Sequence, residues 1–265
     1  MERPKVGLAL GSGGARGYAH IGVLKVLRSL GMPIDYLSGS SMGALVGSLY
    51  ALHGDIDMME KLAVHLKRRY WLDFSVNKMG LILGEKVREL VRLLSHGKSL
   101  EELPLPMAIV ATDLNTGERV TFRTGPIDLA VRASISIPGI FVPVQVGDQM
   151  LVDGGVVERV PISALKEMGA DVILAVDVNS DVPKLRIESL FDIISQTLDV
   201  MEQEIFRYRV LDADLLIRPR VGRIASTDFN RAQECIRAGE EAAWEVADAL
   251  RKMMERWQQP GDEHP

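Results

Sequence analysis

The segment Leu37–Ser48, with the sequence LSGSSMGALVGS, constrains the fold more than any other part of the chain. It predicts a strand that runs into a sharp turn at Ser41 and then into a helix. Gly39 and Gly43 flank this serine at minus two and plus two, which is the G-x-S-x-G spacing of a nucleophile elbow. Where strand and helix nearly touch, a Cβ at either flanking position would collide with the opposite backbone. An ordinary small-residue turn that opens a packed helix gives the same pattern, so other motifs must decide between the two.

The sequence around this segment alternates predicted strands and helices. Val6–Leu10 is a short apolar strand, a glycine-rich loop and a helical pattern follow it, and Pro33–Ser38 is the strand that delivers Ser41. Parallel strands need crossover helices, so this order predicts a doubly wound α/β fold with active groups at the carboxyl ends of the strands. Further strands are predicted at Met107–Thr112, Arg119–Arg123, Phe141–Val146, Met150–Val152, Asp171–Val176 and Asp214–Ile217.

The domain organisation follows from the length of the chain and from the lack of linkers and internal repeats. A chain of 265 residues fits one large α/β domain, and no repeat or convincing linker interrupts it. We therefore expect a single domain over residues 1–257 and a polar, disordered tail over residues 258–265. Within the domain, Ile187–Arg209 is a predicted long helix whose apolar repeat indicates packing against the core or, alternatively, against a partner helix.

Charge and hydropathy limit the function classes. The formal net charge of −5 argues against a general nucleic-acid-binding protein, because neutralising phosphates needs a basic face. The N-terminus is polar up to Lys5 and apolar only over Val6–Leu10, so we expect no export signal. No apolar run is long enough to span a bilayer. These features predict a cytoplasmic location and leave open both peripheral, transient contact with a membrane surface and homo-oligomer formation.

The loop Gly11–Gly17, with the sequence GSGGARG, is the second informative motif. Its glycines let several backbone N–H groups point into one concavity, beside the positive end of the helix that follows. Such a concavity suits the oxyanion of an acyl-transfer reaction. A dinucleotide fingerprint is the rival interpretation, but it requires a third glycine where Arg16 lies and an acid at the end of the next strand. Because the next strand ends in the serine elbow, we favour the oxyanion interpretation.

A serine hydroxyl needs a base, and none of the five histidines is a convincing one. His264 lies in the predicted tail, and His65 and His96 lie on polar helix surfaces. His53 follows the elbow by roughly twelve residues, which is too distant at about 1.5 Å of helix rise per residue. His20 lies in the helix after the glycine loop and better fits a supporting role. A Ser-His-Asp triad is therefore poorly supported.

Carboxylates at strand ends are the remaining candidates for the base. Asp153 ends a predicted strand and precedes two glycines, which let the backbone pass close enough for its carboxylate to reach Ser41. Partial burial would raise its proton affinity and make it a better base. Asp113 and Asp177 compete for this role, although Asp113 precedes an Asn-Thr-Gly turn and better fits a turn cap.

Three blocks of the sequence together resemble the bacterial patatin-like phospholipases. These blocks are Gly11–Gly17 with the helix residues Ala19–Leu24, then Gly39–Gly43, then Asp153–Gly155, and the resemblance extends over roughly Val6–Val178. It implies a three-layer patatin-like α/β fold, in which a mostly parallel central sheet carries helices on both faces. It also implies a lipid or other acyl-ester substrate and a reaction without a metal or an organic cofactor.

The resemblance implies the site residues as well. Ser41 would be the nucleophile, Asp153 the base, and the acyl group would pass through an acyl-serine intermediate before water releases the fatty acid. Ser12 departs from the family, which often has glycine there, and this leaves the choice of oxyanion donors open. The implied oxyanion hole consists of Gly13, Gly14, Ala15 and Arg16, where backbone N–H groups would donate and the arginine would fix the loop.

Two other functions and one accessory feature stay open. An acyltransferase would use the same acyl-serine, although such enzymes usually have a histidine base, and a non-catalytic regulatory protein could retain the fold. The apolar, irregular segment 70–83, which includes Phe74, follows the basic run Lys67–Arg69 and contains Tyr70–Trp71. It fits a lid or a membrane-facing edge, and ordinary core packing is the alternative.

Overall fold

The computed structural model describes residues 3–66, 73–179, 187, 190–207 and 212–258. The strands of this part of the chain are β1 (Val6–Leu10), β2 (Tyr36–Ser40), β3 (Phe74–Asn77), β4 (Gly80–Ile82), β5 (Met107–Asp113), β6 (Arg119–Phe122), β7 (Gly139–Phe141), β8 (Val144–Val146), β9 (Gln149–Asp153), β10 (Val172–Val176) and β11 (Leu215–Ile217). The α-helices are α1 (Ala19–Ser29), α2 (Met42–His53), α3 (Ile56–His65), α4 (Glu85–Leu94), α5 (Ile127–Ser134), α6 (Ile162–Met168), α7 (Leu190–Arg207), α8 (Ala232–Glu245) and α9 (Ala247–Gln258).

The central sheet is mostly parallel and carries helices on both faces. Its hydrogen-bonded order is β11-β10-β1-β2-β5-β9-β8, and β6 also pairs with β5. The five strands from β11 to β5 in this order pair in parallel, whereas β6, β8 and β9 pair antiparallel. This arrangement confirms the predicted three-layer α/β fold, because parallel strands must be joined by helices that cover the sheet.

The two faces of the sheet have separate cores. Leu8 and Leu10 of β1 belong to the larger core with helices α1, α2 and α8. The alternate residue Ala9 points to the other face, where Leu165 of α6 packs against it together with Ile173. Strand alternation therefore assigns α6 to one layer and the other three helices to the opposite layer.

Strand β5 brings two strand ends together. β2 pairs with β5 from Met107 to Val110, and β9 continues along the same edge from Ala111 to Asp113, while β6 occupies the opposite edge. Because β2 is parallel to β5 and β9 is antiparallel to it, their carboxyl ends point at each other. Ser40 lies opposite Val110, and Asp153 lies opposite Ala111. The residues that follow or end these two strands must therefore meet.

A second, small sheet contains β3, β4 and β7. It covers part of the segment 70–83, which was expected to be irregular, and that expectation is wrong for residues 74–77 and 80–82. The alternation signal is short here, and β4 is ordered by its parallel pairing with the distant strand β7. The predicted basic run Lys67–Arg69 and the pair Tyr70–Trp71 lie outside the described residues.

The C-terminal elements depart from the sequence prediction in two respects. The helix expected to run unbroken from about Phe229 to Trp257 is divided into α8 and α9 at Val246. The predicted tail 258–265 lies outside the described residues, except that Gln258 is the last residue of α9. That residues 1–257 form a single domain stays a prediction. No helix within the described ranges is both long and apolar enough to cross a membrane.

Candidate active site

Ser41 occupies the turn between β2 and α2 with an unusual backbone. Its φ of 53° and ψ of −120° are strained for a residue with a side chain. A Cβ on Gly39 would lie 2.6 Å from the backbone of Ala44, and one on Gly43 would lie 2.0 Å from the carbonyl oxygen of Leu10. Both flanking positions therefore require glycine, for the steric reason expected from the sequence.

Two further contacts hold the turn. The backbone N–H of Ser41 donates to Ser134 Oγ at 2.8 Å, and Ser134 Oγ in turn donates to the carbonyl of Val110 at 2.6 Å. Ser134 thereby links the elbow to strand β5 and to helix α5. Because the N–H of Ser41 donates to Ser134, it is not a free hydrogen-bond donor in the cleft. Sequence reasoning missed Ser134, since a serine at the end of a short helix has no distinctive pattern.

Asp153 lies directly against the elbow. Ser41 Oγ donates to Asp153 Oδ2 at 2.5 Å, and the N–H of Gly155 donates to Asp153 Oδ1 at 2.8 Å. The backbone carbonyl of Asp153 also accepts a 2.9 Å hydrogen bond from Thr112 Oγ1 on β5. Each carboxylate oxygen therefore has a donor, and the side chain is fixed with one oxygen on the serine hydroxyl.

Burial changes the acidity of this carboxyl. Asp153 is 4% exposed, and its removal from water raises the pKa of Asp153 to about 6, although the hydrogen bonds from Ser41 and Gly155 act in the opposite direction. The group is therefore mostly ionised at neutral pH while having a higher proton affinity than an aspartate in water. A carboxylate of this kind can accept a proton from a hydroxyl that touches it.

The glycine loop presents two backbone donors. The N–H of Ala15 donates to the carbonyl of Ser226, and the N–H of Arg16 donates to the carbonyl of Gly13. By contrast, the N–H groups of Gly13 and Gly14 have no acceptor within the described part of the chain. Gly13 and Gly14 border a small cleft that also contains Ser41 and Asp153; its lining residues are Ser12, Gly13, Gly14, Ser41, Ile137, Pro138, Asp153, Ser195, Leu198, Asp199, Glu202 and Ser226.

The side chain of Arg16 fixes the glycine loop to the neighbouring segments of the protein. Its side chain is completely buried, Nε donates to the carbonyl of Ile224 at 2.7 Å, and Nη1 donates to Asp199 Oδ2 at 3.0 Å and to Asn179 Oδ1. A buried guanidinium needs such partners, because an unpaired buried charge is strongly destabilising. The contacts tie the loop to α7 through Asp199 and to the segment after β10 through Asn179.

Besides Asp199, helix α7 contributes the carboxyl group of Glu202 to the cleft. Glu202 Oε2 lies 3.0 Å from Ser12 Oγ in a hydrogen bond. A Cβ on Gly155 would lie 2.6 Å from Glu202 Oε1, so the absence of a side chain there makes room for this carboxyl. Desolvation and then the charges of Asp153 and Asp199 raise the pKa of Glu202 to about 8. Glu202 is consequently mostly protonated at pH 7.

The competing acids from the sequence have other partners. Asp113 Oδ1 accepts from the N–H of Asn115 at 3.0 Å, which confirms the predicted turn cap. Asp177 forms a buried 2.9 Å ion pair with Arg159. Among the histidines, His20 is fully buried with Nε2 2.8 Å from the carbonyl of Gly11, and burial lowers the pKa of His20 to about 4. It therefore lies behind the glycine loop as a neutral group. His264 lies outside the described residues.

A large apolar cavity is lined in part by Ser41. Its volume is about 560 Å³, within the usual range of small-molecule pockets, and it is lined mainly by aliphatic and aromatic side chains. One wall is a face of α2 on which the lining residues recur at helical spacing, namely Met42, Leu45, Val46 and Leu49. From Ser41 to Leu49 this wall is about 12 Å long at 1.5 Å per residue. Other walls come from α3, α4, the small sheet and α7; they include Met59, Leu62, Phe74, Leu81, Leu90, Asp192 and Ser195.

The inner side of α7 is the largest part of the site that sequence reasoning missed. Asp192, Ser195, Asp199 and Glu202 recur at intervals of three or four residues, so they form one polar stripe that faces the cavity and the glycine loop. This stripe was visible in the sequence. The apolar repeat on the same helix drew the interpretation toward core packing instead.

Comparisons with known proteins show which sequences and folds this chain resembles. The family model described as patatin-like phospholipase matches residues 8–166. An uncharacterised NTE family protein of Mycobacterium tuberculosis is 44% identical over 179 residues, which cover 66% of this chain and 49% of that protein. Lysophospholipase NTE1 of Pyricularia oryzae is 28% identical over 282 residues, which cover 93% of this chain and 18% of that protein. The chain thus spans about half of the first relative's length and less of the second's.

Solved structures resemble the fold at low sequence identity. VipD from Legionella pneumophila superimposes with a TM-score of 0.66 at 13% identity, covering 94% of this chain and 67% of VipD. ExoU from Pseudomonas aeruginosa, crystallised in complex with SpcU, gives a TM-score of 0.54 at 14% identity and covers 100% of this chain and 55% of its own. These similarities show the fold.

Proposed function

The chain belongs to the patatin-like phospholipase family, and on this premise we propose that it is a serine lipid acyl hydrolase that cleaves fatty acyl esters through Ser41 and Asp153. The observation that carries the proposal is the 2.5 Å hydrogen bond from Ser41 Oγ to Asp153 Oδ2 beside an apolar cavity that Ser41 lines. The relatives named lysophospholipase agree with a lipid ester as the substrate class.

The reaction begins with attack by Ser41 on the ester carbonyl. Asp153 takes the hydroxyl proton as the Oγ–carbonyl bond forms, and its raised pKa makes it a better acceptor than an aspartate in water. The negative charge moves to the carbonyl oxygen of the tetrahedral intermediate. Collapse of this intermediate breaks the ester bond, and the leaving alcohol or lysolipid takes the proton from Asp153. An acyl-serine remains.

The second half of the reaction reverses these roles with water. Asp153 accepts a proton from a water molecule as the water oxygen attacks the acyl-serine carbonyl. The second tetrahedral intermediate then collapses, the fatty acid leaves, and the proton returns to Ser41 Oγ. No metal or organic cofactor enters these steps.

The N–H groups of Gly13 and Gly14 are the proposed oxyanion donors. They border the cleft with Ser41 and have no acceptor within the described residues, whereas the N–H groups of Ala15 and Arg16 already donate to backbone carbonyls. We therefore narrow the oxyanion hole from the four residues expected from the sequence to these two. Arg16 keeps its expected role of fixing the loop, through its contacts to Asp199 and the carbonyl of Ile224.

A serine-reactive fluorophosphonate tests the central claim without knowledge of the substrate. Intact mass of the purified protein should increase by one adduct, and Ser41→Ala should give none. Ser40→Ala is the matched control, because Ser40 is the neighbouring residue, is fully buried and has no hydrogen-bond partner for its Oγ. Labelling of folded Ser41→Ala, or no labelling of the folded wild type, would contradict an activated Ser41.

Product identity separates hydrolysis from acyl transfer. Incubation of the protein with a fatty acyl ester and an excess of an acceptor alcohol should release free fatty acid, with the new ester as a minor product. A dominant new ester would instead identify the acyltransferase alternative. Adduct formation without turnover of any ester would favour a non-catalytic role for the fold.

A further inference from the structure

Helix α7 has its polar side toward the protein and an apolar side toward solvent. The polar stripe of Asp192, Ser195, Asp199 and Glu202 borders the cavity and the cleft. The opposite side, which we call the outer face of α7, presents Leu190, Ile193, Val200 and Met201, exposed by 64%, 51%, 47% and 56%, with Thr197 and Glu204 as its exposed polar residues. A surface helix of a water-soluble protein normally has the reverse arrangement.

The outer face also corrects an expectation from the sequence. The apolar repeat of this helix was expected to pack against the core, but Leu190, Ile193 and Met201 are exposed. Of the repeat, Ile194 does pack inward, over Gly139 of β7 and with the core of the small sheet. The exposed residues leave an apolar surface on α7, and the alternative expectation, that the repeat packs against a partner helix, stays a prediction.

The position of the outer face relative to the cavity suggests what it contacts. Asp192 and Ser195 line the cavity, and the exposed Leu190 and Ile193 lie on the same two turns of α7. On the small sheet, Phe74 and Leu81 line the same cavity and are themselves 75% and 42% exposed. Exposed apolar side chains therefore occur both where α7 borders the cavity and where the small sheet does.

We infer that the outer face of α7 inserts into an electrically neutral lipid surface and holds the cavity opening against it. The inference rests on the proposed function in one respect, since a lipid hydrolase must draw its acyl chain out of such a surface into the cavity. Residues 190–205 contain no lysine or arginine, so the outer face has no cation for anionic headgroups. A zwitterionic surface such as phosphatidylcholine fits this charge pattern.

A protein partner or a second copy of the chain fits less well. A stable protein interface uses roughly 20 to 30 residues on each side, whereas the described residues of α7 expose five large apolar side chains, the four of the outer face and Ile205. Insertion into a lipid surface needs no such complementary area, because the apolar interior of the lipid accepts individual side chains. The number of exposed residues thus favours lipid.

Binding to phosphatidylcholine vesicles in a flotation assay tests the inference independently of catalysis. The full chain with Ser41→Ala is used, so that no turnover occurs. Leu190→Gln with Ile193→Gln should weaken partitioning by about tenfold for each side chain withdrawn from the lipid. Leu93→Gln is the matched control, because Leu93 is 71% exposed on α4 among polar residues and should leave binding unchanged.

Activity and association state complete the test. In the Ser41-containing protein, the α7 double variant should lose hydrolysis of vesicle lipid and keep hydrolysis of a short, water-soluble ester. Undiminished vesicle binding by the double variant, no binding by the parent protein, or binding restricted to anionic vesicles would overturn the inference. A dimer that the double variant converts to monomers would assign the face to self-association instead. Vesicle binding without hydrolysis of any ester by wild type would refute only the proposed function.

Discussion

The two helices that border the cleft at Ser41, α2 and α7, orient their apolar faces in opposite directions. The apolar face of α2, from Met42 to Leu49, lines the cavity that Ser41 also lines. In α7, the side toward the site is polar and includes Asp199 and Glu202, while the apolar side is exposed. α2 is apolar on nearly every side, whereas α7 is amphipathic, and both contribute to the same site.

The difference lies in what each helix covers. α2 lies against the sheet and the cavity, which are apolar, so its apolar residues turn inward. α7 lies over the glycine loop, where the buried Arg16 requires a carboxylate partner and Asp199 supplies it. An amphipathic pattern therefore identifies residues that share a face, and the neighbouring surface decides which face is buried.

The largest expected effect on activity follows from replacing either Ser41, at the start of α2, or Asp153, which contacts it from the end of β9. Ser41→Ala removes the attacking oxygen, and Asp153→Asn removes the base while preserving its shape. We expect each to reduce kcat/KM for a fatty acyl ester by at least about 10³-fold. Because burial raises the pKa of Asp153, its ionisation disfavours folding as pH rises from 3.8 toward 6. Asp153→Asn should therefore unfold at no lower temperature than wild type above pH 6.

Asp113→Asn is the matched control for this test. It makes the same chemical change at a competing strand-end acid, and an asparagine Oδ1 can still accept the turn hydrogen bond from Asn115. Turnover should stay near the wild-type value. Near-normal turnover in Ser41→Ala or Asp153→Asn, or a loss in Asp113→Asn equal to theirs, would break the assignment of the reaction to the elbow and β9.

A smaller effect is expected from the far end of the α2 wall. Leu49→Trp adds volume to the cavity about 12 Å from Ser41, so it should obstruct a long acyl chain and spare a short one. We expect the kcat/KM ratio of palmitoyl to butyryl esters to fall by roughly 10- to 100-fold. Kinetics with both esters provide the measurement, and fluorophosphonate labelling with thermal unfolding verifies an intact site. An equal loss on both esters would show that the acyl chain does not follow α2.

Much of the α2 side could be predicted from the sequence, because its determinants are local. The elbow requires glycine at residues 39 and 43 for steric reasons that do not depend on distant residues, and the structure confirms both contacts. The predicted α/β order and the strand β1 are confirmed as well. Asp153 could be proposed from its place at a strand end. The end-to-end arrangement of β2 and β9 on one edge of β5 was not predicted, because it depends on strand pairing across the chain.

The α7 side could not be predicted because its determinants are tertiary. The contacts of Glu202 to Ser12 and of Asp199 to Arg16 join residues that are 190 and 183 positions apart in the sequence. Nothing near α7 in the sequence indicates that a buried arginine lies beneath it. The small sheet was missed for the same reason, since β4 pairs with a strand that lies far along the chain.

The smallest expected effect is a change in the pH dependence of kcat/KM, which distinguishes the contribution of α7 from that of the Ser41–Asp153 pair. Asp153 must be ionised to accept a proton, so kcat/KM should fall as pH decreases through about 6. Glu202 loses its proton as pH rises through about 8, and a negative charge then appears beside Asp153, Asp199 and the proposed oxyanion donors, opposed mainly by Arg159. That charge disfavours the developing oxyanion, so the wild-type profile should fall on the alkaline side as well.

Glu202→Gln tests the contribution of α7 to this profile. Glutamine is neutral at every pH and retains a hydrogen-bonding group for Ser12, so the variant should keep the wild-type rate at pH 7 and lose the alkaline fall, giving a several-fold higher rate near pH 9. The acid limb, which depends on Asp153, should not move. Glu204→Gln on the exposed side of the same helix is the control and should retain the wild-type profile. An alkaline fall that persists in Glu202→Gln would show that the charge of α7 does not reach the reacting atoms, and that its polar stripe serves only to bind the loop.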